Sequence, residues 1–221
     1  MLSVTKQIMT TSPSQIFQNG IKETIDTYMA HGPRSSKKTD RLNQTIMDII
    51  TRVLDDKGCR EKYEIRCECN VNSLNQSGKK SCDIVVFKES VPYIVLPLKF
   101  VMSSYQKNAN NYWENLTGEV THLMWANEDI GLKIVPINII ADKIPMLDNN
   151  GVIKRWENIT LDNSFAVYQS LVTRHLAYQV FNAVLHVDYT CNIGEKYDCV
   201  PIIKSISENV SLYDVLYELL L

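Results

Sequence analysis

Asp83 opens one apolar run, Asp83-Ile-Val-Val-Phe, and Lys99 closes the next, Ile94-Val-Leu-Pro-Leu-Lys. Strand residues alternate faces, so Pro97 and Lys99 point to the same side. An ammonium at the end of an apolar strand is costly to bury unless a carboxylate or a phosphate meets it. Asp83, at the mouth of the adjacent strand, is the carboxylate placed to do so. A polar, aromatic stretch follows, with Tyr105, Gln106, Lys107, Asn108, Asn110 and Asn111. It reads as a contact surface for a polar ligand or as a solvated loop.

The elements that must hold these residues follow from periodicity. Residues 13–30 start at Ser12-Pro13 and carry Ile16, Phe17, Ile21, Ile25 and Tyr28 at helical spacing. A second helix over about 40–57 repeats the pattern with Leu42, Ile46, Ile49, Ile50, Val53 and Leu54, and stops at Gly58. The period then changes to two. Tyr63, Ile65, Cys67, Cys69 and Val71 alternate with polar residues, which predicts a half-buried strand with both cysteines on its apolar side. Further strands are expected over 82–88 and 93–102, then a helix over 111–126. A central strand buried on both faces is expected over 133–140. Asp148-Asn-Asn-Gly151 reads as a turn, 165–187 as helical, and 212–221 as an apolar helical tail. With no internal repeat and no linker, the order predicts a single domain over residues 1–221. Its expected class is α/β, with a mixed central sheet, an antiparallel meander and a crossover helix, flanked by helices.

Composition narrows the class. The chain is 45% hydrophobic and 22% charged, ordinary for a globular protein. Its net charge of −2 argues against a uniformly basic surface but leaves room for a local cationic cleft. No apolar run reaches the ~18 residues that span a bilayer, so no membrane is expected. The start, Met1-Leu-Ser-Val-Thr-Lys, has no apolar export core, so a cytoplasmic location and reduced cysteines are expected. Zinc is disfavoured because no paired C-x₂-C spacing exists, and Cys59, Cys67, Cys69 and Cys82 read better as small buried apolar residues. His31, His122, His175 and His186 are scattered. No phosphate-cradling glycine loop and no nucleophile elbow is present.

An acid before one strand, a lysine ending the next and a polar helix after it resemble the signature of the PD-(D/E)XK nuclease superfamily, and its type II restriction endonucleases in particular. The resemblance covers roughly residues 63–140. It implies Mg²⁺-dependent double-strand cutting of DNA at a palindromic site, by a homodimer built on the apolar tail or the N-terminal helices. By the same resemblance Asp83 and Lys99 are catalytic, and Asp83 and the Leu98 carbonyl bind the metal. The acid expected two positions before Lys99 is Pro97, which cannot bind a metal. Some family members carry that acid on the following helix, which assigns the role to Glu114, with Glu119 and Glu68 as substitutes. Tyr105, Gln106, Lys107, Asn108, Asn110 and Asn111 become the expected DNA contacts. Asparagine and glutamine pair with adenine, so an A/T-rich site is expected. Pro97 also motivates an alternative, a catalytically inactive nuclease-fold DNA-binding module. A repair or junction nuclease is the third reading.

Overall fold

The computed structural model describes residues 11–31, 37–160 and 166–220. Along the chain run α1 (Pro13–His31), α2 (Lys37–Asp56), β1 (Tyr63–Asn72), β2 (Lys79–Lys88), β3 (Val91–Leu96), β4 (Leu98–Val101) and α3 (Tyr105–Ala126). They are followed by β5 (Lys133–Ile134), β6 (Ile137–Ala141), β7 (Lys143–Leu147), β8 (Ile153–Asn158), α4 (Gln169–Thr173), β9 (Phe181–Asp188), β10 (Ile202–Glu208) and α5 (Leu212–Leu219). The class is mixed α/β, and the chain divides into two compact units, residues 1–64 with 210–221 and residues 65–209.

The first unit is helical. Ser12 caps α1, its Oγ accepting the Gln15 N–H at 3.2 Å, and Pro13 supplies a first residue that needs no donor. The buried stripes are those the spacing predicts: Phe17, Ile21, Ile25 and Tyr28 on α1, and Leu42, Ile46, Ile49, Ile50, Val53 and Leu54 on α2. The two helices approach closely at Gly20, where a Cβ would overlap the Thr45 side chain. α2 stops where Gly58 takes a positive φ of 60°. The apolar tail is α5, capped by Ser211 and burying Leu212, Val215, Leu216 and Leu219. Its Tyr213 hydroxyl donates to Asp56 at 2.7 Å, and Lys57 stands 4.1 Å from the centre of the Tyr217 ring.

The second unit holds the sheets, in the orders β1-β2-β3-β5 and β10-β9-β6-β4, and the hairpin β7-β8. The two larger sheets run into each other. β3 pairs parallel with β5 (Ile94↔Lys133, Val95↔Ile134), and β4 pairs with β6 at the same offset (Leu98↔Ile137). Between them the Val135 N–H bonds the Val95 carbonyl at 2.9 Å, and the Ile137 N–H bonds the Pro97 carbonyl at 2.8 Å. Pro97 and Pro136 have no N–H to give, so each strand expected as continuous is cut at its proline without losing register. β6 is buried along its whole length, as the apolar run predicts.

Several expectations are corrected. The described part of the stretch 165–187 is helical only at its start: after the short α4 (Gln169–Thr173), His175 takes a positive φ of 59° and Phe181–Asp188 form strand β9. A continuous apolar run does not distinguish a buried strand from a helix. Pairing with β6 on one side and β10 on the other decides it; Phe165 lies outside the described residues. The helix expected from Asn111 begins at Tyr105. Cys67 is exposed and Cys69 half-buried, so neither is the small buried residue expected, although β1 keeps its two-residue alternation with Tyr63 and Val71 buried; Cys59 and Cys82 are buried. Cys191 and Cys199 are joined in a disulfide, not reduced: an eight-residue separation brings their Cα atoms to 5.9 Å, within bridging range. The turn at Asp148 is built as expected, its Oδ1 accepting the Asn150 and Val152 N–H groups at 2.8 and 2.9 Å. The flanking strands β7 and β8, like β10, were not legible. Among the described residues, no helix is long and apolar enough to cross a membrane.

Candidate functional site

Asp83 sits one rung beyond the last registered pair of β2 and β3, Ile84↔Leu96, and therefore faces Pro97. The proline offers no N–H there. The Asp83 carboxylate reaches past it, and its Oδ2 accepts the Leu98 N–H at 2.7 Å. Bonds from an N–H to a charged oxygen are among the stronger ones, so this side chain replaces the missing rung. Val85↔Val95 pair on the same face as Asp83, and the unbroken register carries that face through Pro97 to Lys99. Asp83 and Lys99 thus share one side of neighbouring strands, but the expected meeting of the two charges is not made among the described residues, and Asp83 bonds the Leu98 N–H instead.

Lys99 is half-buried, and among the described residues it forms no ion pair. Its rung continues through Asn138 on β6 to Asn182 on β9. The Asn138 Nδ2 donates to the Asn182 Oδ1 at 2.9 Å, and both residues are buried. The ammonium therefore ends a row of neutral amides that cannot neutralise it. Such a group is available to an incoming anion.

The carboxylates named for the second metal position are dispersed. Glu114 is exposed on α3, away from the buried stripe of Leu116, Val120 and Leu123, with no bond to Asp83 or Lys99. Glu119 pairs with Lys80 at 3.3 Å, its side chain 9% exposed. It stands beside Cys82, whose thiol is pushed up to about 12, first by burial and then by the Glu119 charge. Lys80 and Cys82 occupy the face of β2 opposite Asp83, which separates Glu119 from it. Glu68 is exposed on β1, at a positive φ of 50°. Among the described residues no group of three or more His, Cys, Asp or Glu side chains stands together to hold an ion. A hard divalent cation asks for one or two carboxylates plus phosphate and water. Asp83, with one oxygen not engaged by Leu98, is one carboxylate that could serve.

The stretch 105–111 is the first two turns of α3, not a loop. Gln106, Lys107, Asn110 and Asn111 are exposed there, and their spacing puts them with Glu114 on one helix face. The Asn108 Nδ2 donates to the Ser104 carbonyl at 2.9 Å. Tyr105 is buried and stacks on Tyr112 with ring centres 6.0 Å apart. The Gln106 N–H donates to Glu157 at 3.0 Å, so a buried carboxylate anchors the start of the helix. Tyr105, Gln106 and Asn110 also border a cavity of about 470 Å³ with Trp113, Asn158 and Tyr168.

A second constellation escaped sequence reasoning. The His186 Nδ1 lies 2.9 Å from the Asp142 Oδ2, and its Nε2 lies 2.7 Å from the Ser207 Oγ. Sequence separations of 44 and 21 residues leave no local motif, and only the pairing of β6, β9 and β10 brings the three together.

No family model, no curated protein and no solved structure matches the chain.

Proposed function

We propose that the protein is a Mg²⁺-dependent endonuclease of restriction-endonuclease-like fold that cuts both strands of duplex DNA at a palindromic site. The observation that carries this reading is that strand register puts Asp83 and Lys99 on one face of neighbouring strands, with the Asp83 Oδ2 accepting the Leu98 N–H at 2.7 Å. The element order adds support: β1, β2 and β3 side by side with β2 and β3 antiparallel, then the helix α3, then β5 and β6, which run parallel to β3 and β4. Bound beside Asp83, Mg²⁺ would polarise the scissile phosphate and acidify a water. Lys99 orients the attacking water and offsets charge on the pentavalent phosphate. The exposed face of α3, with Gln106, Lys107, Asn110 and Asn111, meets the duplex, and its amides favour adenine and so an A/T-rich site. A palindrome is met by a two-fold dimer.

The purified chain should cut unmethylated phage DNA into discrete bands with Mg²⁺ and not with EDTA. A smear would point to a non-specific nuclease. Intact DNA across many diverse substrates would favour the second reading, a DNA-binding module without cleavage, which rests on the buried Pro97 and the exposed Glu114.

A further inference from the structure

Asp142 follows β6, His186 lies within β9, and Ser207 lies on β10 opposite Val184. Asp142 is fixed at three points. Its N–H donates to the Leu185 carbonyl at 2.9 Å, its own carbonyl accepts the Ile159 N–H at 2.7 Å, and its Oδ1 accepts the Val187 N–H at 3.0 Å. That leaves Oδ2 for His186. An ionised carboxylate has no proton to give, so Nδ1 carries the N–H, and the Nε2 of the neutral ring must accept. The Ser207 hydroxyl, 2.7 Å away, is then the donor. The end of its strand is pinned by Asn209, whose Nδ2 donates to the Val180 carbonyl at 2.9 Å and whose Oδ1 accepts the Asn182 N–H at 2.8 Å. The imidazole is 39% and the carboxylate 29% exposed, so a solute can reach them. A purely structural chain this open would gain little, because water satisfies the same atoms.

We infer that Ser207, His186 and Asp142 form a serine-nucleophile site that hydrolyses carboxylic esters, an activity separate from phosphodiester cutting. Nucleophile, base and the group that orients the base stand in the order such chemistry needs. The Ser207 Oγ bonds to the ester carbonyl carbon as its proton passes to the His186 Nε2. The bond from that carbon to the alcohol oxygen breaks, and the alcohol leaves with the proton. Water then attacks the acyl carbon and gives a proton to Nε2. The acid departs as the Ser207 Oγ takes that proton back. Asp142 is a positioning residue that holds the tautomer. The side chains stand half-exposed on the sheet, which suits short acyl esters with good alcohol leaving groups better than amides.

The test uses the full chain in EDTA without DNA, so its outcome is independent of the nuclease reading. A fluorophosphonate probe should form one adduct, located on Ser207 by peptide mass spectrometry. Release of p-nitrophenol from p-nitrophenyl acetate should fall at least about a hundredfold in Ser207→Ala and in His186→Ala. Asp142→Asn should lower kcat by a similar factor while KM holds. If Ser207→Ala does not fold, Ser207→Cys takes its place, losing the fluorophosphonate adduct and gaining one from iodoacetamide. An unlabelled Ser207 in the folded wild type, or unchanged p-nitrophenol release in a folded Ser207→Ala protein, overturns the inference.

Discussion

The Asp83 carboxylate lies 2.7 Å from the Leu98 amide nitrogen, reaching around the one neighbour that has no N–H. A single side chain thereby repairs the interruption of the strand and stands on the face that carries Lys99. The proline that displaces the expected acid is also what gives Asp83 its structural partner.

The double role separates by substitution. Asp83→Ala leaves a partly buried N–H unpaired and should cost about 1–3 kcal/mol in urea unfolding. Asp83→Asn retains an acceptor oxygen for the same N–H and should cost less than half as much, although it lowers the negative charge available to a cation. Equal losses in the two variants would mean that the bond to Leu98 contributes nothing to stability.

The second carboxylate is tested by a pair of isosteric changes. Glu119 is held by Lys80, whereas Glu114 is exposed beside the polar residues of α3. Glu114→Gln should lower DNA cleavage about a hundredfold through loss of a metal ligand, and Glu119→Gln should leave it within a few fold. The opposite pattern would transfer the role to Glu119.

In the helical unit, Gly20→Ala should cost about 1–3 kcal/mol, because the added methyl meets Thr45 on α2. The double variant Gly20→Ala, Thr45→Ala should recover part of that loss. Strict additivity of the two changes would show that the helices do not pack closely there.

The Tyr213–Asp56 contact gives this unit a pH dependence. Burial and the bond to Asp56 raise the Tyr213 hydroxyl to about 12 from its ordinary value of 10.0. Its stabilisation is therefore present below pH 10 and is lost as pH rises through about 12. Hydrogen bonds from Arg52 and Tyr213 hold Asp56 below its ordinary 3.8, so its contribution is complete above that value and disappears as pH falls through its lowered one. Tyr213→Phe should flatten the alkaline fall in the urea midpoint. An unchanged alkaline slope would remove Tyr213 as its cause.

The sequence reading succeeded where one physical signal dominates. The stripes of α1 and α2 and the face shared by Pro97 and Lys99 follow from 3.6- and two-residue periods. It failed where tertiary pairing decides. Residues 180–187 are apolar apart from Asn182 and His186, a pattern that fits a buried strand or a helix, and pairing with β6 and β10 makes it a strand. Residues 105–111 lack an apolar stripe, yet the bond from the Gln106 N–H to Glu157, fifty-one residues on, supports the start of α3. The two-residue period of β1 holds, but a period does not measure how fully a neighbour covers a face, so the exposure of Cys67 was not legible. The Asp142, His186 and Ser207 group exists only through strand register.

Lys99 bears most directly on the central claim. It lies on a strand at the end of a row of buried amides and, among the described residues, makes no ion pair. Its removal should leave the fold intact, so a change in cleavage can be assigned to chemistry. The measurement is the single-turnover rate of duplex DNA cleavage in Mg²⁺ for the wild type and Lys99→Ala, with binding of each to the same DNA followed in Ca²⁺. The account predicts that Lys99→Ala retains binding and loses cleavage by at least about a hundredfold. Wild-type cleavage by a folded Lys99→Ala protein would contradict it.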